Sequence, residues 1–176
     1  ELWALANAAD DDPWRRRYRV AMTSRDREAW QLLGVEARHL PLPPSSMDLL
    51  ALSLASAGER EEALALLRSA RGRHATDFWI HFYLGVLLTM DQERGTPVDL
   101  EECIGCFRAA LALRPDASAV HSNLGGALFF KDQWDDAVAE YKQAIELDPK
   151  SADPHVNLGI ALYVKGDADG AVAEYK

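Results

Sequence analysis

The chain has 176 residues, of which 48% are hydrophobic and 27% charged, a composition that supports a packed core and argues against disorder. Its formal net charge of −9 is opposite to the bias of nucleic-acid-binding proteins. The longest apolar stretch, residues 78–90, is interrupted by His81 and is too short to span a bilayer. We therefore expect neither a nucleic-acid partner nor a membrane partner.

Residues 1–43 carry equal numbers of acidic and basic side chains. Their single basic cluster, three arginines at 15–17, follows three aspartates and is interpreted as a solvated helix face. Val20, Ala29 and Leu33 keep the phase of the pattern described below. This part of the chain is therefore predicted to be a degenerate helical hairpin.

The rest of the chain repeats itself with a period of 34 residues. Residues 137–142 are identical to 171–176, and 121–125 share four of five residues with 155–159 in the same register. A period of this length is typical of stacked helical repeats. The predicted division is 1–43, a repeat at 44–77, a repeat lengthened by six residues at 78–117, a repeat at 118–151, and an incomplete repeat at 152–176.

Each repeat is predicted to contain two helices, because apolar residues recur at steps of three and four. Gly58, Asp132 and Gly166 separate the two helices, and all three tolerate the left-handed conformation that closes a helix. The small residues Gly125 and Ala137 would let the helices of one hairpin approach closely. The predicted fold is all-α, a right-handed α-solenoid of stacked antiparallel helix hairpins.

The six additional residues of the 78–117 repeat fall within residues 91–102, which include Gly95, Pro97 and several acids. This composition does not suit the tight turn of the other repeats. The segment is predicted to form either an overlong first helix or an exposed loop.

The pattern resembles that of the tetratricopeptide repeat (TPR) family, well over residues 44–176 and weakly over 10–43. The signature positions are occupied by His121, Leu124, Gly125, Leu128, Ala137, Tyr141, Ala144 and Pro149. Histidine replaces the usual tryptophan at the fourth position, and it recurs there as His81 and His155. A looser similarity, over residues 8–15, 61–64 and 74–84, links the chain to the region that follows the kinase domain in large bacterial serine/threonine kinases.

The side chains with chemical potential have structural interpretations. Cys103 and Cys106 have metal-ligand spacing, but zinc needs about four ligands, and Cys103 stands where the other repeats have a small alanine. The recurring histidines would form a column rather than a cluster. The chain contains no phosphate loop, no kinase catalytic loop and no nucleophile elbow. We therefore predict no catalytic residue, no metal site and no cofactor, and hence no enzymatic activity for this chain.

The TPR resemblance implies that the first helix of each hairpin lines a concave binding surface. Residues at the corresponding positions are predicted to bind a peptide: Trp79, Phe82, Tyr83, Val86, Ser122, Asn123, Phe130 and Asn157. Asn123 and Asn157 occupy the position where related proteins hold a peptide backbone with an amide; the alternative is that they are only repeat consensus. The positions that bind a terminal carboxylate in some relatives carry no cation here, which favours an extended, partly apolar partner.

The leading functional prediction is a scaffold that binds a peptide or a partner domain. The alternative is a regulatory or self-assembling region of a bacterial kinase-like protein, and a third hypothesis is a metal or redox module built on the two cysteines. Because the sequence stops at Lys176 without a capping helix, the last repeat is expected to associate with another copy or to continue into further repeats. Two cysteines in an acidic chain without a leader favour a reducing compartment, and the expected location is the cytoplasm.

Overall fold

The computed structural model describes residues 12–24, 26–93 and 99–174, and within these ranges it contains ten helices and no strand. The chain divides into two compact units, residues 1–75 and 76–176. The helices of the first unit are α1 (Pro13–Thr23), α2 (Arg27–Ala37), α3 (Pro44–Ser56) and α4 (Arg60–Arg73). Those of the second unit are α5 (Phe78–Glu93), α6 (Leu100–Leu113), α7 (Ser118–Phe130), α8 (Trp134–Leu147), α9 (Ala152–Val164) and α10 (Ala168–Glu174).

Within the second unit, each helix contacts its successor, and the first helices of adjacent hairpins also contact each other. The hairpins α5–α6, α7–α8 and α9–α10 are therefore stacked side by side, as in a TPR-like solenoid. Apolar side chains from both helices of a hairpin form the core, among them Ile80, Leu84, Ile104, Phe107, Leu124 and Leu128. The all-α fold of stacked antiparallel hairpins predicted from the sequence is confirmed.

The first unit contains the hairpin α3–α4 and, before it, the helices α1 and α2, which contact each other. Its core is apolar, but it includes the carboxylate of Glu59, which is only 5% exposed. That carboxylate accepts hydrogen bonds from Arg27 and from Gln31, the latter at 2.7 Å. Two donors on α2 thus compensate for the burial of a charge at the start of α4.

In two hairpins, a glycine of the first helix faces an aromatic ring of the second at close range. A Cβ atom added to Gly85 would lie 2.6 Å from the ring of Phe107, and one added to Gly125 would lie 2.7 Å from the ring of Tyr141. Both distances are far below van der Waals contact. Glycine at this position therefore makes room for the ring of the second helix, as predicted for Gly125.

The turns inside the hairpins adopt the backbone conformation that the sequence predicted. Gly58, Asp132 and Gly166 have positive φ values of 87°, 60° and 90°. The longest repeat departs from the others in its first helix, since α5 has 16 residues whereas α7 and α9 have 13. Part of the insertion thus extends α5, which is one of the two predicted outcomes, and its residues 94–98 lie outside the described ranges.

The adjacent glycines of α7 should respond oppositely to the same substitution. Gly125→Ala forces the Tyr141 ring to move, and we expect a loss of about 1 to 3 kcal/mol of unfolding free energy. In Gly126→Ala, the nearest atom is the Tyr141 hydroxyl at 3.8 Å, so the better helix propensity of alanine should add up to about 1 kcal/mol. Urea denaturation of both variants measures the difference. Equal effects would show that the close approach does not limit this position.

A second pair of substitutions tests the turn at Asp132. Asp132→Gly removes the steric cost of a Cβ atom in the left-handed conformation and should raise the unfolding free energy by about 0.5 to 1 kcal/mol. The control, Asp136→Gly, makes the same chemical change in the first turn of α8 and should lower stability by a similar amount. Thermal melting of both variants checks the sign. A destabilised Asp132→Gly variant would contradict the role assigned to this turn.

Candidate functional site

Four of the predicted binding residues lie along one stripe of α5, at positions 79, 82, 83 and 86. Trp79 stacks on Tyr83 with ring centroids 5.6 Å apart, and Phe82 lies edge-on to Trp79 at 6.0 Å. Trp79 remains 42% exposed, whereas Val86 is half-buried. The stripe therefore presents a continuous aromatic surface that ends in an aliphatic residue.

Two residues that the sequence did not indicate complete this aromatic cluster. Phe78 stacks on Phe82 at 5.9 Å, and the guanidinium of Arg114 lies 4.2 Å from the ring centroid of Phe78 and 5.2 Å from that of Trp79. Arg114 follows the last residue of α6, about 35 positions along the chain. No local pattern links it to α5, so only the fold reveals this cation–π contact.

The other four predicted residues line one concavity of about 250 Å³. The structure brings together Ser122, Asn123 and Phe130 from α7 with Asn157 from α9. The remaining lining residues are Thr89, Gly126, Phe129, Tyr141 and Ile160. Of these, Thr89, Phe129 and Tyr141 were not indicated by the sequence, and all nine side chains are uncharged.

The two asparagines supply the amide groups of this concavity, and neither amide has an internal role. Among the described residues, neither side-chain amide makes a hydrogen bond to the protein, and both residues are half-buried. By contrast, Thr89 donates to the carbonyl of Val86 at 2.8 Å. An amide both donates and accepts, so each asparagine is available to a peptide group of a bound segment.

The histidines that recur beside the asparagines join the two helices of a hairpin. In one hairpin, Nδ1 of His121 lies 2.6 Å from Oε2 of Glu140, and in the next, Nδ1 of His155 lies 2.8 Å from Oε2 of Glu174. The other nitrogen of His121 lies 2.9 Å from the carbonyl oxygen of Pro115. These contacts recur with the sequence period and explain the histidines as structural residues.

Ion pairs with the same period join adjacent hairpins. Lys131, after α7, pairs with Glu101 of α6, and Lys165, after α9, pairs with Asp135 of α8. Both pairs are partly exposed, so each contributes modestly to stability. The two pairs are one sequence period apart, as are Asn123 and Asn157.

Both thiols of α6 are buried, and Cys103 donates to the carbonyl of Gly85 at 3.6 Å. Burial, with a smaller contribution from the nearby Cys106 and Glu102, raises the pKa of the Cys103 thiol to about 12. A thiol that stays protonated is a poor metal ligand and a poor nucleophile. Within the described ranges, no three His, Cys, Asp or Glu residues form a potential metal-binding group.

A larger hollow in the first unit, of about 640 Å³, contains none of the predicted residues. Its polar side chains are already engaged: Arg27 with Glu59, Ser53 with the carbonyl of Leu49, and Ser56 with that of Leu52. The hollow therefore has fewer free polar groups than the concavity of the second unit.

Among the helices that the structure describes, none is long and apolar enough to cross a bilayer.

Cys103 should make the folded protein sensitive to alkali. The Cys103 thiol stays neutral in the folded protein but ionises in the unfolded chain above its ordinary pKa of 9.0. Its contribution to the unfolding free energy is therefore complete below pH 9.0 and is lost as the pH rises toward about 12. One such group can lower the unfolding free energy by at most about 1.4 kcal/mol for each pH unit. Cys103→Ala, which introduces the residue found in the other repeats, should flatten the fall in unfolding free energy between about pH 9 and about pH 10. An unchanged slope would contradict this assignment.

Comparisons with known proteins agree with this architecture. Residues 127–166 match the model of a family described as TPR repeat. The chain is similar in structure to MamA 41-end from Desulfovibrio magneticus RS-1, with a TM-score of 0.71, 21% identity, and coverage of 84% of this chain and 80% of that one. A crystal structure of MamA gives a TM-score of 0.70 at 19% identity, with coverage of 85% of this chain and 82% of that one. MamA MSR-1 gives a TM-score of 0.68 at 14% identity, with coverage of 92% of each chain.

No curated protein matches the chain in sequence. The similarities to MamA concern the fold. The family match places a TPR repeat in the C-terminal part of the chain, across the segment that contains Asn157 and the turn before α8.

Proposed function

We propose that this protein is a scaffold whose second unit binds an extended segment of a partner protein. The observation that carries the proposal is the pair of uncommitted amides, Asn123 and Asn157, in one uncharged concavity. Polar groups that become buried under a partner need hydrogen bonds in the complex, and these two amides can both donate and accept them. Two such groups at equivalent positions of successive repeats are suited to the regularly spaced peptide groups of an extended chain.

The surroundings of the amides favour a partly apolar segment. Phe130 and Ile160 border the concavity and are each more than two-fifths exposed, and Trp79 extends the apolar surface along α5. Aromatic residues with exposed faces are the typical anchors of protein interfaces. Since no lining residue is a cation, recognition of a terminal carboxylate is not part of the proposal.

The proposal includes no catalytic residue, cofactor or bound metal, and it places the protein in the cytoplasm. It also adopts the predicted division into repeats at 44, 78, 118 and 152. The family match and the MamA structures lend no support to the kinase-associated alternative, which stays a prediction. Self-association through the last hairpin likewise stays a prediction, although Val156, Tyr163 and Val172 are exposed there.

A selected peptide and two sets of variants test the function. A phage library of random linear peptides is selected on the purified protein, and the best peptide is synthesised with blocked ends for fluorescence polarisation. Replacing Asn123 and Asn157 together by alanine removes two backbone contacts and should raise the Kd about ten-fold or more. The control, Gln143→Ala, removes an exposed amide from α8 and should leave the Kd unchanged.

Two results would contradict the proposed function. One is a double variant that binds the selected peptide as tightly as the original protein. The other is a library that yields no peptide at all for a correctly folded sample, with helicity checked by circular dichroism.

A further inference from the structure

We infer that the segment bound by the second unit is basic, with lysine or arginine side chains alternating with apolar ones. This inference rests on the proposed function and adds the chemistry of the partner. Its starting point is the distribution of charge. Residues 1–75 contain 11 acidic and 11 basic side chains, whereas residues 76–176 contain 17 acidic and 8 basic ones, so the net charge of −9 belongs entirely to the unit that holds the concavity.

Three of the eight basic side chains of this unit are engaged elsewhere. Lys131 and Lys165 pair with acids between the hairpins, and the guanidinium of Arg114 lies on the aromatic cluster. An approaching peptide therefore meets a surface whose field is negative. Such a field attracts a cationic partner, raises its rate of association and disfavours an acidic one.

One acid lies on the stripe that forms the site. Asp153 precedes Asn157 by four residues on α9, and Ile160 follows three residues later, so helix geometry places all three on one face. Asp153 is exposed and makes no ion pair with another described residue. Its equivalents in the two preceding repeats are Ala119 and Trp79, so this row of the surface combines a carboxylate with an aromatic ring.

The aromatic end of the surface also suits a cation. The contact of Arg114 with Phe78 and Trp79 shows that these rings bind a guanidinium in the protein itself. Because Trp79 is 42% exposed, part of its surface remains available to a partner. The stripe continues along α5 from Trp79 to Thr89, which lines the concavity, over about 15 Å of helix.

An extended peptide can satisfy both parts of this surface at once. Its successive side chains point in opposite directions, so alternate residues share an environment. Apolar residues would face Phe130 and Ile160, while the residues between them carry their charges toward Asp153 and Trp79. The peptide groups between these side chains would form hydrogen bonds with the amides of Asn123 and Asn157.

Three synthetic probes test the charge preference. They are blocked peptides of equal length that share alternating leucines and carry lysine, glutamine or glutamate at all other positions. We expect the lysine peptide to bind most tightly and the glutamate peptide most weakly. The difference should shrink between about 50 mM and about 500 mM NaCl, because salt screens exposed charges.

A matched pair of variants locates the effect. Asp153→Asn should weaken the lysine peptide about two- to five-fold and leave the glutamine peptide unchanged. The control, Asp136→Asn, removes the same charge from the first turn of α8, outside the concavity, and should change neither.

The outcomes separate this inference from the proposed function. Equal binding of all three peptides, abolished by the double asparagine replacement, would overturn the charge preference and keep the scaffold. Equal loss of lysine-peptide binding in Asp153→Asn and Asp136→Asn would overturn the role of Asp153 as the contact. Failure of all three peptides, together with the selected peptide above, would overturn both proposals.

Discussion

The hairpins α5–α6 and α7–α8 depend on a close approach between a glycine of the first helix and an aromatic ring of the second. Gly85 lies against Phe107, and Gly125 lies against Tyr141, at distances that leave no room for a methyl group. The ring of Tyr141 also forms part of the wall of the concavity, so the same contact that closes a hairpin shapes the candidate site. Burial raises the pKa of this tyrosine from its ordinary 10.0 to about 12, so its hydroxyl stays protonated into the alkaline range.

Polar contacts in the second unit recur with the same period as the sequence repeat. A histidine–glutamate contact joins the helices within a hairpin, and a lysine–carboxylate pair joins one hairpin to the next. Each contact is individually weak because it is partly exposed. They recur with the sequence period, and side chains one period apart, such as Asn123 and Asn157, line the same concavity.

Features that depend on local sequence were predictable. The left-handed turns at Gly58, Asp132 and Gly166 follow from residue type, and the glycine contact with Tyr141 follows from the period. The length of α5 was predicted only as one of two outcomes, because composition does not distinguish a longer helix from a loop. Contacts between distant positions were missed. The guanidinium of Arg114 reaches the α5 rings from the end of α6, and Tyr141 reaches the concavity past Gly126, and neither contact leaves a local signal.

The recurring lysine–carboxylate pairs make the hairpins interchangeable. Each hairpin that carries both groups offers a carboxylate to its successor and a lysine to its predecessor, as Asp135 and Lys131 do for α7–α8. A tandem copy of residues 118–151 would therefore meet complementary groups at both junctions without any compensating substitution. The identity of residues 137–142 and 171–176 is what recent duplication of such a unit would leave behind. Lengthening the array in this way would add another asparagine to the row at each step, so reach along a partner could grow by gene duplication alone.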